Sequence, residues 1–173
     1  MGRVHVTGPR NAVQSTVGSF VANLPEMLGA MAGDPRCLVA IAEFEDVRYV
    51  QFWIEPDGGI IAEVISNLNI GDAVALSESD EQRLRAMGWF EPSPGPNPNW
   101  RFEARGVSGL LDAVRMTSRA VFEVLKEEPG NVVSLRTWEM EGRAGDSLDH
   151  MREEARVSYQ NDLRELKRHL DDA

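Results

Sequence analysis

Apolar residues at the start of the chain recur three and four positions apart: Val13, Val17, Phe20, Val21, Leu24 and Leu28. This stripe predicts an amphipathic helix. Asn11, with Gln14 three residues on, reads as its N-cap and capping box. Pro25 is expected to kink or end the regular part, and Gly33-Asp34-Pro35 to close the segment. The pattern then changes. CLVAIAEF (37–44) is a short apolar run without helical breaks. RYVQFWIE (48–55) alternates, with Val50, Phe52 and Ile54 on one face and Tyr49, Gln51 and Trp53 on the other. Pro56-Asp57-Gly58-Gly59 supplies a tight turn, and GIIAEVIS (59–66) returns with β-branched residues. These segments predict a three-stranded antiparallel meander, one face on a core and the other at least partly wet.

SESDEQRLRAMGW predicts a short helix, capped by Ser79 with Gln82 three residues later. Leu84 and Met87 are its inward anchors, and Gly88 is placed to serve as a left-handed C-terminal cap. Pro92, Pro94, Pro96 and Pro98 make the following stretch a loop with little regular structure. WRFEA (100–104) alternates like a strand. The next segment, from Val107 to Glu128, reads as a long helix on Val107, Leu110, Leu111, Val114, Val121 and Leu125, ended by Pro129-Gly130. NVVSLRTWEM (131–140) is expected as a strand. Residues 147–170 are expected as a second amphipathic helix, with a stripe at Leu148, Met151, Ala155, Tyr159, Leu163, Leu166 and Leu170. The chain thus divides at residue 130. Residues 1–130 form an α+β domain with an antiparallel sheet flanked by helices. Residues 131–173 form a strand–helix extension, packed on that domain or used for association.

Composition narrows the function. The 173 residues are 42% hydrophobic and 27% charged, which predicts one soluble globular domain with room for an appendage. The formal charge is −10. That argues against broad contact with nucleic acid or anionic membrane, where lysine and arginine must meet phosphate. Residues 34–104 hold thirteen acids against five bases, so a partner of this region should be neutral or basic. No apolar run is long enough to span a bilayer, and the N-terminus lacks a signal-peptide core, so the expected location is cytoplasmic. The lone cysteine, Cys37, excludes an internal disulfide framework, and three scattered histidines build no zinc cluster with it.

Catalytic templates are missing. The chain has no GxGxxG, no GxxxxGK[ST], no HExxH and no GxSxG. Glu43 and Glu45, if they shared one strand face, or Asp80 would be the only starting points for a hydrolase. The aromatics are more informative. Trp53 lies opposite Phe52, Trp89 follows a helix cap, Trp100 opens a strand, and Trp138 sits in the last one. Large aromatics at such places supply core or grip peptides. Tyr49, Phe52, Trp53, Trp89 and Trp100 are therefore the candidate partner-binding residues, with Trp53 expected to be the most exposed tryptophan.

The stretch LSESDEQRLRAMGWFEPSPGPNPNWRFEA (76–104) resembles the signature of actinobacterial YbjN-like domains related to type III secretion chaperones, the TY-Chap group. Leu84, Met87, Gly88, Trp89, Pro92, Asn99 and Trp100 carry the likeness, which extends over about residues 11–128. The resemblance implies an antiparallel sheet flanked by helices, commonly dimeric, with no catalytic residues, cofactor or metal. It also implies binding of extended or partly folded polypeptide. The expected function is a non-enzymatic, chaperone-like peptide- or protein-binding module acting through its sheet. The alternative is a structural or regulatory subunit that binds one folded partner through its C-terminal helix.

Overall fold

The computed structural model describes residues 5–6, 13–33, 37–55, 59–95 and 98–141. Seven strands form one antiparallel sheet: β1 (His5–Val6), β2 (Val13–Thr16), β3 (Cys37–Phe44), β4 (Tyr49–Ile54), β5 (Ile60–Val64), β6 (Trp100–Ala104) and β7 (Val132–Glu141). The order is β7-β3-β4-β5-β6, with β1 and β2 both paired to the outer side of β7. Among the described residues, three α-helices join the sheet: α1 (Val17–Gly33), α2 (Glu78–Met87) and α3 (Gly106–Arg119). The fold is α+β, as expected, and the meander β3-β4-β5 is present in the expected register of faces.

β7 is an internal strand, bonded to β3 on one side and to β1 and β2 on the other. Residues 132–141 are thus woven into the sheet. The helix expected over 147–170 lies outside the described residues.

The helices share one face of the sheet. Phe20, Leu24, Leu28 and Met31 of α1 meet Ala40, Ala42, Val50, Phe52, Ile54, Ala62 and Val64 in a continuous core, which Leu84, Ala113 and Val121 extend. Burying such side chains stabilises by about 1.5–3 kcal/mol each. α1 begins four residues after the start of its apolar stripe. Val13–Thr16 pair with Val132–Leu135 as a strand instead, leaving Val13 65% exposed. The periodicity of a helix and the alternation of a strand coincide over so short a run, and the ladder with β7 decides between them. Asn11 is therefore not the cap. Thr16 Oγ accepts from the Ser19 N–H at 3.2 Å, and the Asn131 and Pro129 carbonyls accept from Val17 and Gly18. α1 runs through Pro25 rather than stopping there.

The expected stripe of the third helix holds at Leu110, Val114, Val121 and Leu125, which reach the core, and fails at Val107 and Leu111. Val107 is 82% exposed and Leu111 57%, whereas Gly109, Ala113 and Thr117 face the sheet. The helix lies so close to β6 that a Cβ on Gly109 would sit 3.0 Å from the Ala104 carbonyl carbon. Only small residues fit that contact, so Val107 and Leu111 turn outward while Leu110 and Val114 pack partly against the core from the flank. The helix continues through a π-turn, Ala120–Val124, in which the Leu125 N–H donates to the Ala120 carbonyl at 2.9 Å. Arg48, on the β3–β4 hairpin, donates to the Leu125 carbonyl at 2.6 Å and ties this end to the sheet.

Gly109→Leu should destabilise the protein by about 2 kcal/mol or more through overpacking, whereas Val107→Ser should shift stability by about 0.5 kcal/mol or less. Urea denaturation of the three proteins checks this; equal midpoints for the two variants would contradict the packing described.

Candidate functional site, a groove beside the last meander strand

The second sheet face is mixed in chemistry. Cross-strand register sets Arg136, Ile41, Gln51, Glu63 and Arg101 in one row, and Val39, Trp53, Ile61 and Glu103 in the next. The expectation of a partly wet face fails at the centre of the sheet. Gln51 is fully buried, and Val39, Ile41, Tyr49, Ile61 and Glu63 are each less than a tenth exposed. Amide, phenol and carboxylate groups stay buried there because they bond to one another. Glu63 accepts from Gln51 Nε2 and, at 3.4 Å, from Asn99 Nδ2. The Tyr49 hydroxyl and the Asn99 amide lie within 3.4 Å, and Asn69 Nδ2 donates to Asn99 Oδ1 at 2.8 Å. Burial pushes the Tyr49 phenol well above its ordinary value; the Asn99 hydrogen bond opposes the rise and the Glu63 charge adds to it. Tyr49 stays protonated across the physiological range.

Toward β6 this face opens into a groove of about 340 Å³, lined by Glu63, Phe90, Glu91, Ser93, Asn99, Arg101 and Glu103. Its wall is the proline-rich loop, and both ends of that loop are anchored. α2 is capped by Ser77, whose Oγ accepts from the Asp80 N–H at 3.1 Å, with Asp80 returning the bond to the Ser77 N–H. The capping box thus begins at Ser77 rather than at Ser79. Gly88 ends the helix at φ 93°, in the left-handed region that glycine enters without penalty. That turn sends Trp89 inward and Phe90 outward. Trp89 packs on Phe102 with ring centroids 5.7 Å apart. Trp100, at the far end of the loop, is buried beneath the Arg85 guanidinium, 5.5 Å from its ring centre. Phe90 is 60% exposed, yet its main chain exchanges two hydrogen bonds with Arg101, at 2.7 and 3.1 Å.

The five expected partner-binding residues separate. Phe52 and Trp100 are core side chains, Trp89 is buried with them, Tyr49 belongs to the buried polar network, and Trp53 alone is half-buried. Of the three tryptophans whose exposure is described, Trp53 is the most exposed. Phe90, Glu63, Glu91 and Glu103 were missed. Phe90 follows a buried tryptophan directly, so only the reversal at Gly88 reveals which of the two faces out. Glu63 sits within a β-branched run that reads as wholly apolar. The carboxylates considered for hydrolysis do not assemble: Glu43 lies on β3, Glu45 in the turn after it, and Asp80 in the cap of α2. Among the described residues, no helix is long and apolar enough to cross a membrane.

The groove's wall and lining coincide with the stretch that resembles the YbjN-like chaperones. A family model described as T3SS (YopN, CesT) and YbjN peptide-binding chaperone 3, TY-Chap3, matches residues 11–139. The chain belongs to this family. The match to TY-Chap3 runs from β2 to β7, so the family unit includes the last strand of the sheet. No curated protein and no solved structure matches the chain significantly.

Asp80 fixes the N-terminal end of α2 through Ser77 and Lys126, and its ionisation is coupled to folding. Burial raises its carboxyl, but hydrogen bonds from Ser77 and Lys126 outweigh that and hold it below its ordinary value. The stabilisation is thus present above the usual carboxylate range and is lost as pH falls through the folded value. Asp80→Asn should lower stability by about 1 kcal/mol at pH 7, and the difference from the parent should close at acidic pH. Thermal melts across pH test this; a difference independent of pH would refute the role of the charge.

Proposed function

We propose that the protein is a non-enzymatic, chaperone-like module that binds extended polypeptide in the groove between β6 and the proline-rich loop. The family supports peptide binding. The observation that carries the location is the incomplete edge of β6, which among the described residues is bridged only by Phe90 opposite Arg101. Strand alternation turns the main chain of Glu103 toward the same outer edge, where an incoming segment could pair. The buried centre of the sheet argues for this side over a broad apolar face. Trp53, half-buried in the row that ends at Glu103, supplies apolar area on the same face.

The reading includes a cytoplasmic location, supported by the single cysteine and by the absence of an apolar spanning helix among the described residues. It also includes self-association. The outward Val107 and Leu111 of α3, one helical turn apart, offer apolar area to a second copy of the chain in a homodimer. Light scattering measures this directly.

Titration calorimetry with unstructured peptides is expected to show micromolar binding. Trp53→Ala and Phe90→Ala should weaken it several-fold with little change in melting temperature. Phe52→Ala cannot serve as a binding variant, because emptying that core site costs about 3–5 kcal/mol. Failure of every peptide to bind at hundreds of micromolar would overturn the proposal.

A further inference from the structure

We infer that the groove selects arginine side chains within the extended segments it binds. This rests on the peptide-binding reading and names the chemistry of the segment. Three features converge on a planar cation. Phe90 presents a ring on the rim while its main chain is held on Arg101 and the preceding Trp89 is buried, so the aromatic face is positioned in advance. A guanidinium stacks on such a face and donates in a flat fork from its edges. Glu91 and Glu103 line the same groove, with Glu63 also in its lining.

Resident cations are already present, and the carboxylates retain capacity. Arg85 Nε engages Glu91 Oε1, and Arg101 Nε engages Glu103 Oε1 at 2.8 Å. Each of these contacts uses one carboxylate oxygen, and a carboxylate accepts about four hydrogen bonds in all. A ligand guanidinium can join these pairs without displacing Arg85 or Arg101. Lysine carries its charge as a point and forgoes the fork. The excess of acids over residues 34–104 adds attraction at longer range. The open edge at Glu103 lets the segment lie extended while one side chain turns into the groove.

The test uses the full chain and one nine-residue serine- and threonine-rich peptide carrying arginine, lysine or citrulline at its centre. Citrulline keeps the shape of arginine and removes the charge. Calorimetry should rank arginine first, roughly tenfold tighter than citrulline, with lysine between. Phe90→Ala, Glu91→Gln and Glu103→Gln should each shrink the arginine advantage while melting temperatures stay near the parent's. Raised salt should shrink it as well. Equal binding of arginine and citrulline peptides overturns the selectivity while leaving peptide binding intact. Equal binding of arginine and lysine overturns the requirement for a guanidinium. If none of the three peptides binds, the inference and the peptide-binding reading fall together.

Discussion

Two tryptophans, one before and one after a proline-rich loop, are buried against the same sheet. The described part of the loop is anchored at both ends, and Ser66 Oγ also donates to the Pro98 carbonyl. A segment with four prolines has few main-chain donors and builds no ladder of its own. Its position is set by Trp89 against Phe102, by Trp100 under Arg85, and by the short bridge from Phe90 to Arg101. Remove either anchor and the groove loses its wall. The family signature is, in physical terms, this clamp.

The clamp works because the helices occupy one face of the sheet. On that face the contact is apolar and close, to the extent that α3 can approach β6 only over glycine, alanine and threonine. The other face buries Val39, Ile41 and Ile61 beside a hydrogen-bonded set of Gln51, Glu63, Asn99 and Tyr49. Buried polar groups of this kind specify geometry, because each unmade bond costs about 1–3 kcal/mol. They hold the floor of the groove to one arrangement.

Much of the architecture was legible in the chain. Alternation at Val50, Phe52 and Ile54 named the core face of β4 correctly, and the four prolines marked the loop. Gly88 was legible as a left-handed cap because few other residues adopt that turn cheaply. The failures have local causes. Val13 fits both a helical stripe and a strand, and Ser77 and Ser79 are each followed three residues on by a side chain able to complete a box. Val107 and Leu111 look like core on a helical wheel, but the helix is seated on Gly109, Ala113 and Thr117, which leaves these two outside while Leu110 and Val114 reach the core. Of the aromatics around the groove, the sequence singled out the buried ones, and Phe90, the exposed one, shows itself only in the fold.

What the amino-acid order determined by itself was everything governed by near neighbours: the alternation of the meander, the breaks at proline, the turn at Gly88 and the acidic balance of the middle of the chain. The tertiary structure decided which strand lies beside which, and with it the rest. Pairing with β7 made a strand of Val13–Thr16, and close approach of α3 to β6 over Gly109 left Val107 and Leu111 outside. Register between β5 and β6 brought Glu63 and Glu103 to the groove that Phe90 rims. These outcomes depend on residues distant in sequence competing for the same hydrogen bonds and the same volume, and no local period records who wins.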